Sequence, residues 1–151
     1  MLDDTDRRLL RLLQQDSAVT NHELAARAHV SPATALRRVR RLVDAGVIER
    51  QMVILSSDAI GAGLTAILEV TLDVQSAEAL AAFEAAATAE AAVQQCYRVA
   101  SGPDFILIVF VLDMPAYHAF VHRALTAEAN VRNVRSFFAV KRSKFAPVLP
   151  V

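Results

Sequence analysis

The sequence predicts an α+β protein, with an N-terminal helix-turn-helix domain followed by a ferredoxin-like domain of order βαββαβ. Two observations support this prediction. The first fifty residues contain three short helical patterns with polar residues at their starts, and only two residues separate the second pattern from the third. From about residue 63 onward, segments in which apolar and polar residues alternate, as in strands, are interspersed with segments in which apolar residues have helical spacing. The apolar fraction of 54% over 151 residues is sufficient for the buried cores of two small domains.

Capping residues mark the starts of the first two helices. In LDDTDRRLLRLLQQD the leucines recur at three- and four-residue spacing, and Asp3 and Asp6 are placed to cap and charge a helix that ends near Gln15. The next helix begins at TNHE (20–23), where threonine and glutamate have the capping-box spacing. Its predicted buried side consists of Leu24, Ala25 and Ala28.

The third helix has the clearest boundaries. Ser31 is placed as its N-cap, Pro32 occupies the first helical position, and Gly46 ends it. The predicted buried stripe consists of Leu36, Val39, Leu42 and Val43. Because side chains one turn apart share a face, the predicted outward positions are 33, 34, 37, 38 and 41.

The charge distribution supports a DNA-binding function for this helix. Only His29 and Val30 separate it from the helix before it, which is the spacing of a helix-turn-helix whose second helix enters the major groove. The whole chain has a formal net charge of zero, but residues 27–50 contain six arginines against two acids, a local charge of +4. Outward arginines on a preorganised helix can pair with phosphates or guanine edges. The alternative is a solvated basic face.

The second half begins after a change of pattern. Residues 47–61 are extended and then serine-rich, which predicts a linker or a dimer-forming strand. The predicted organisation is therefore a DNA-binding domain at 1–50, a linker or dimerisation strand at 51–62, and the ferredoxin-like domain at 63–151. Within the last, strands are predicted at about 63–73, 92–100, 104–112 and 131–141, and helices at 76–89 and 115–126.

Membrane and secretory classes are excluded by the apolar patterns. The longest apolar runs are too short to span a bilayer, and the acidic start MLDDTD lacks the basic and apolar regions of a signal peptide. We therefore expect a cytoplasmic protein with no membrane partner. The single cysteine, Cys96, lies in an alternating apolar stretch, which favours a buried strand thiol over a reactive one.

Catalytic signals are weak. His118 and His122 have the i, i+4 spacing of a metal pair, but no HExxH pattern or cysteine pair accompanies them, so exposed helix histidines explain them better. No nucleophilic triad, phosphate-binding loop or pair of carboxylates stands out. We expect no enzyme activity, no catalytic residue, no metal and no cofactor.

Taken together, these segments resemble the Lrp/AsnC (leucine-responsive and asparagine-responsive, "feast or famine") transcriptional regulators over essentially the whole chain. The most specific parts are LDDTDRRLLRLLQQD and NHELAARAHVSPATALRRVRRLVDAGVI. In the second half, CYRVASGPDFILIV (96–109) is similar to the family's loop between two strands, and MPAYHAF and NVRNVRSFF to its following helix and last strand.

The resemblance implies a sequence-specific DNA-binding regulator whose RAM/AsnC-type sensor domains assemble into dimers and then tetramers or octamers. It also implies that an amino acid or related small molecule binds between neighbouring sensor domains and modulates DNA binding. On or beside the family's DNA-contacting surface lie Ser31, Pro32, Thr34, Arg37, Arg38 and Arg41. Near its effector pocket lie Ser101, Gly102, Asp104 and Ser136.

Roles within the DNA surface follow from helix geometry. We expect Thr34, Arg37 and Arg38 to read bases, and Arg41 and Arg27 to hold phosphates. Arg40, beside the predicted buried stripe, is expected to do either or neither.

The chain departs from the family pattern in three places. His29 stands where many members have glycine, Gly102 comes one position later than usual and is followed by Pro103, and Val134 stands where a hydroxyl residue is common. A ligand-independent protein that wraps DNA remains an alternative. Haem-pathway decarboxylases share the architecture, but nothing here resembles their His/Trp-containing active region, and this chain has no tryptophan.

Overall fold

The computed structural model describes residues 2–61, 63–127 and 130–151, and it confirms the predicted α+β class. Met1 and Ala62, where the predicted first domain begins and the predicted linker ends, lie outside the described residues. Within those residues, no helix has the length and apolar character needed to cross a membrane. The elements are α1 (Asp4–Gln15), α2 (Asn21–Ala28), α3 (Pro32–Asp44), α4 (Ser57–Ile60), β1 (Leu64–Leu72), α5 (Ala77–Ala89), β2 (Val93–Arg98), β3 (Phe105–Val111), α6 (Met114–Val121) and β4 (Val131–Phe138).

The chain forms two compact units, Met1–Ile54 with Lys144–Val151 and Leu55–Ser143. In the first unit, the predicted caps are confirmed. The Asp3 side chain accepts a hydrogen bond from Asp6 N at 2.9 Å, and Thr20 and Glu23 form the second capping box. These contacts satisfy backbone donors that a helix start leaves free, so each helix begins where its cap predicts. The core between α1, α2 and α3 contains Leu9, Leu24, Ala25, Ala28 and Ala35.

The predicted buried stripe of α3 is correct for two of its four residues. Leu42 is buried and Val39 packs against the core, whereas Leu36 and Val43 are 42% and 49% exposed, and Ala35 is buried in their place. Alanines at 25, 28 and 35 meet in the core, and their small side chains allow the helices to approach closely. With Ala35 inside and Leu36 outside, the buried side of α3 is turned towards Arg38, and Arg40 lies on the exposed side.

His29 forms the turn between α2 and α3 in a left-handed conformation, with φ 56° and ψ 46°. Its backbone N–H donates to Ala26 O at 3.2 Å, and Val30 N donates to Ala25 O at 3.0 Å, which closes the end of α2. The side chain is exposed. For a residue with a Cβ, this conformation is about 1–2 kcal/mol less favourable than the right-handed helical one, whereas glycine has no such penalty.

Replacing His29 with glycine is therefore expected to raise the free energy of unfolding by about 1 kcal/mol. Ala26→Gly, three residues earlier in the helical part of α2, should lower it by about the same amount, because glycine is unfavourable in a helix. Urea denaturation of the two full-length variants, followed by circular dichroism, measures both effects. A loss of stability on His29→Gly would show that the turn does not store this strain.

The second unit is built on a four-stranded antiparallel sheet of order β2-β3-β1-β4, as in the predicted ferredoxin-like arrangement. Alternate residues of β1 and β3 point to one side and are buried with residues of α5 and α6. Phe105 of β3 packs against Phe83 of α5 with ring centroids 4.8 Å apart. This packing covers one face of the sheet.

Two segments differ from their predictions, and a third takes one of its two predicted forms. Residues 49–56, predicted as a linker or a dimer-forming strand, form no strand in this single chain, and α4 follows them. The predicted helix at 115–126 is α-helical to Val121 and continues as a π-helical turn, His122–Thr126. The last strand ends at Phe138 rather than near 141. A strand requires a partner for its backbone groups, and β1 pairs with β4 only up to Phe138.

Candidate nucleic-acid interface

The start of α3 is held by a network of short polar contacts. Ser31 accepts a hydrogen bond from Thr34 N at 3.2 Å and donates its hydroxyl to Thr34 Oγ1 at 2.9 Å. Asn21 of α2 donates to Pro32 O at 2.9 Å. The first turn of α3 is thus fixed against α2, and the Thr34 hydroxyl keeps its own hydrogen for another acceptor.

The exposed face of α3 is basic. An open groove of about 480 Å³ follows it, lined by Ala33, Leu36, Arg37, Arg40, Arg41 and Asp44. Arg37 and Arg40 are exposed and have no ion pair among the described residues. Arg40, left without an assigned role by the sequence, therefore belongs beside Arg37. A sequence prediction with Ala35 and Leu42 at the centre of the buried stripe would have placed Arg40 on the exposed face.

Arg38 does not share that face. Its guanidinium turns towards α1, where Nη1 donates to Asp3 Oδ2 at 2.6 Å and to Asp6 Oδ1 at 2.8 Å. Arg41 donates from Nη2 to Asp6 Oδ2 at 2.5 Å, but its side chain stays 55% exposed. The predicted outward set is therefore divided, because Arg38 is turned inward while Arg37 and Arg41 remain accessible.

The two carboxyl groups of this cluster stay ionised. Burial of Asp6 favours its neutral form, but hydrogen bonds from Arg38, the backbone of Asp3 and Arg41 outweigh burial and lower its pKa. The hydrogen bond from Arg38 is the main cause that lowers the pKa of Asp3. The hydrogen bonds that Arg38 donates to Asp3 and to Asp6 also raise the pKa of Arg38. The cluster is thus a set of charged pairs at neutral pH.

Arg27 lies apart from these side chains, on the last turn of α2. It is exposed, and its Nη2 donates to Gln15 Oε1 of α1 at 3.4 Å. The structure therefore groups Ser31, Pro32 and Thr34 at the start of α3 and Arg37 and Arg41 along it. Arg27 and Arg38 lie outside that group.

The predicted effector residues of the second unit do not meet in one chain. Ser101 and Gly102 are exposed in the turn between β2 and β3, and Gly102 has φ 85°. Asp104, at the start of β3, accepts from Leu72 N at 2.7 Å and from Gln75 Nε2 at 3.2 Å. One carboxylate oxygen of Asp104 therefore holds the end of β1 and the segment that follows it.

Ser136 lies on β4, on the other side of β1 from Asp104. Its hydroxyl accepts a hydrogen bond from the buried Tyr117 of α6. Two strand spacings separate β3 from β4, about 9–10 Å. Sequence reasoning missed Tyr117, although its place in the predicted helix 115–126 was a signal.

The uncovered face of the sheet is apolar at its centre. It presents Ile67, Ile106, Ile108 and Phe110 of the two middle strands, with Tyr97 and Phe137 on the outer strands. An ion pair between Arg135 and Glu69, at 3.0 Å, lies on the same face. An apolar centre with polar groups beside it is typical of a protein interface.

Family models match both units. The model described as the Lrp/AsnC ligand binding domain matches residues 65–149, more than half of the chain, and the model described as winged helix-turn-helix DNA-binding matches residues 2–49. The chain belongs to the Lrp/AsnC family. This confirms the predicted family, and the protein is a transcriptional regulator with a DNA-binding helix-turn-helix and a ligand-binding domain.

Other Lrp/AsnC proteins match along almost the whole length. The leucine-responsive regulatory protein of Rhizobium meliloti is 37% identical over 145 residues, which cover 96% of this chain and 93% of that protein. The DNA-binding transcriptional activator DecR of Escherichia coli is 32% identical, with coverage of 100% and 99%. A crystal structure of a transcriptional regulator from Neisseria meningitidis in complex with L-Met superposes with TM-score 0.88 at 32% identity, covering 99% of this chain and 97% of that one.

The residues considered for enzyme chemistry have surface or structural surroundings in this Lrp/AsnC chain. His118 and His122 are both exposed on the helix. In the part of the chain that the structure describes, no group of three potential metal ligands converges. Cys96 is half-buried against the sheet core, and burial raises the pKa of its thiol, which favours the unreactive protonated form.

Proposed function

We propose that this regulator reads DNA with the exposed face of α3 and acts as a homodimer or a larger even-numbered assembly in the cytoplasm. The observation that supports this best is that Arg37 and Arg40, which have no ion pair among the described residues, are exposed on a helix whose start is fixed by Ser31 and Asn21. We assign residues 1–50 to DNA binding, 51–62 to the linker, and 63–151 to effector binding and oligomerisation.

The position of each side chain along α3 suggests its role. Residues near the start of a recognition helix contact base edges, so Thr34 and Arg37 are assigned to base reading. Arg40 and Arg41, one turn further on, are assigned to phosphates, with Ser31 and Pro32 holding the helix start. In a twofold dimer the two helices enter successive major grooves, so the operator is expected to be a rough palindrome with half-sites about one helical turn apart.

Binding to the DNA upstream of the protein's own gene, compared with scrambled DNA over a salt series, tests this proposal. Preference for the upstream DNA would support a specific regulator. Equal, salt-sensitive binding to both would favour an architectural DNA-wrapping protein, because phosphate contacts are independent of sequence. No binding at low salt would contradict the proposal.

An amino acid is the proposed effector, as in the Neisseria structure with L-Met. Its carboxylate needs hydrogen-bond donors, which the exposed backbone around Gly102 can supply, and its ammonium needs an anion such as Asp104. Because β1 separates Asp104 from Ser136, a complete site requires a neighbouring sensor domain. The effector would alter DNA binding by its different affinities for two assembly states.

In a panel of amino acids that includes L-Met, the effector, at about 100 times its dissociation constant, is expected to raise the melting temperature by about 5–10 °C, since its binding then stabilises the fold by about 2.7 kcal/mol. Asp104→Asn should lose this shift. Asparagine retains an acceptor for Leu72 N but no anion for the ammonium, so the ligand-free melting temperature should stay close to that of the wild type. A panel at millimolar concentration without any shift would contradict the sensor role.

A further inference from the structure

A buried carboxylate of α1 holds two arginines of the recognition helix. The Asp6 side chain is only 1% exposed, and each of its oxygens receives a different arginine: Oδ1 receives Arg38 and Oδ2 receives Arg41. Asp3 N donates to Oδ2 as well, at 3.2 Å. Asp6 therefore connects the start of α1 with two successive turns of α3.

The two arginines differ in what they leave available. The Arg38 side chain is 21% exposed, its Nη1 is shared by Asp3 and Asp6, and its Nε is buried with no hydrogen-bond partner among the described residues. Arg41 uses only Nη2 for Asp6 and remains 55% exposed. Arg38 is thus held away from the surface, whereas Arg41 stays at the surface in an orientation fixed by Asp6.

We propose that Asp6, assisted by Asp3, is a positioning residue that keeps Arg38 away from DNA phosphates and orients Arg41, and thereby raises the sequence selectivity of α3. Releasing Arg38 would leave Oδ1 of the buried Asp6 carboxylate without its partner, with only Arg41 still paired to Oδ2, which is unfavourable. A phosphate therefore competes poorly for this arginine. Since phosphate attraction strengthens binding to every sequence alike, withholding it favours the operator over other DNA.

This inference rests on the proposal that α3 contacts DNA. It also assigns a new role to two acids that the sequence indicated only as helix caps. Arg38, which the sequence predicts to read a base, instead connects α3 to the start of α1. Base reading is then assigned to Thr34 and Arg37 alone.

The test uses Asp6→Asn and Asp3→Asn in the full-length protein. Asparagine keeps the size of the side chain and caps a helix as well as aspartate does, so the change is mainly one of charge. We expect Asp6→Asn to bind scrambled duplex DNA more tightly and to steepen the logarithmic salt dependence by about 0.9 for each arginine that gains a phosphate. When salt falls from about 200 to about 50 mM, DNA affinity rises for every variant. Each additional phosphate contact makes that rise about 3- to 4-fold larger than in the wild type.

Asp3→Asn should change the slope in the same direction by less, because Asp6 still holds Arg38. The Asp3 side chain is 52% exposed and pairs with a single arginine among the described residues, so this variant keeps the test valid if Asp6→Asn fails to fold. Asp4→Asn is the matched control. Asp4 is exposed in the same turn and bonds to no arginine among the described residues, so the same loss of charge should leave the slope nearly unchanged.

The double variant Asp6→Asn/Arg38→Gln separates release of Arg38 from a general loss of structure. It should return the slope most of the way to the wild-type value, because the released arginine is then absent. If Asp3→Asn and Asp6→Asn lower only the melting temperature and match Asp4→Asn in slope, or if they flatten the slope, the proposed positioning role is wrong. If the wild type itself shows no salt-dependent binding, the proposed DNA contact by α3 fails first.

Discussion

Arg37→Ala is expected to weaken binding to the operator by about 1–3 kcal/mol, or about 5- to 150-fold, and to relax the preference for one base pair in each half-site. Arg37 is exposed in the second turn of α3, where no acceptor among the residues that the structure describes competes with a guanine edge for its guanidinium. Affinities for the upstream DNA and for single-base variants of it, measured at one salt concentration, give both quantities.

Arg40→Ala should produce a different signature. A lost phosphate contact weakens binding to all sequences and flattens the salt dependence by about one unit. Arg11→Ala removes the same charge from α1 and should have little effect on either quantity, because the Arg11 side chain bonds only to Arg7 O within the described part of the chain. If Arg37→Ala retains full affinity and base preference, the assigned reading face of α3 is wrong.

The helix boundaries of the first unit were predictable because their causes are local. Asp3, Thr20 and Ser31 each cap a helix that begins at the next residue. A cap acts over three residues, so its pattern is visible in the sequence. The same is true of the alternation in β1 and β3, which follows from one covered face of the sheet.

The orientation of α3 was not predictable in the same way. The sequence favours the larger side chains Leu36 and Val43 as the buried stripe, but the close contact of small residues buries Ala35 instead. The partners of Arg38 lie 32 and 35 positions earlier in the chain. Which basic side chains remain at the surface therefore depends on tertiary contacts that no local pattern records.

The candidate effector site has a related limit. Two of the three polar side chains that the resemblance indicates have intramolecular partners, since Asp104 accepts a hydrogen bond at the end of β1 and Ser136 accepts one from Tyr117. The strand order then separates them. A site assembled from two chains leaves no spacing signature within one chain, so only the family resemblance could indicate it.

Ile108→Glu is expected to convert the proposed homodimer to monomers. Ile108 lies in the middle of β3, between Ile67 of β1 and Gln95 of β2, on the face of the sheet that no residue of the core cluster occupies. In a monomer, the new carboxylate on this face remains hydrated, so the fold should persist. In a dimer that joins two such faces, twofold symmetry buries two carboxylates near each other, which costs several kcal/mol. Sedimentation equilibrium measures the change in mass.

Operator affinity should fall with the mass, because two linked recognition helices bind about 10²- to 10⁴-fold more tightly than one. Val74→Glu is the matched control. Val74 is exposed after β1 and outside the apolar face, so the same new charge should leave the dimer intact. If Ile108→Glu remains dimeric at concentrations where the wild type is dimeric, the subunits associate through another surface. If it is monomeric but keeps full operator affinity, each chain binds its half-site alone, and the palindromic operator is wrong as well.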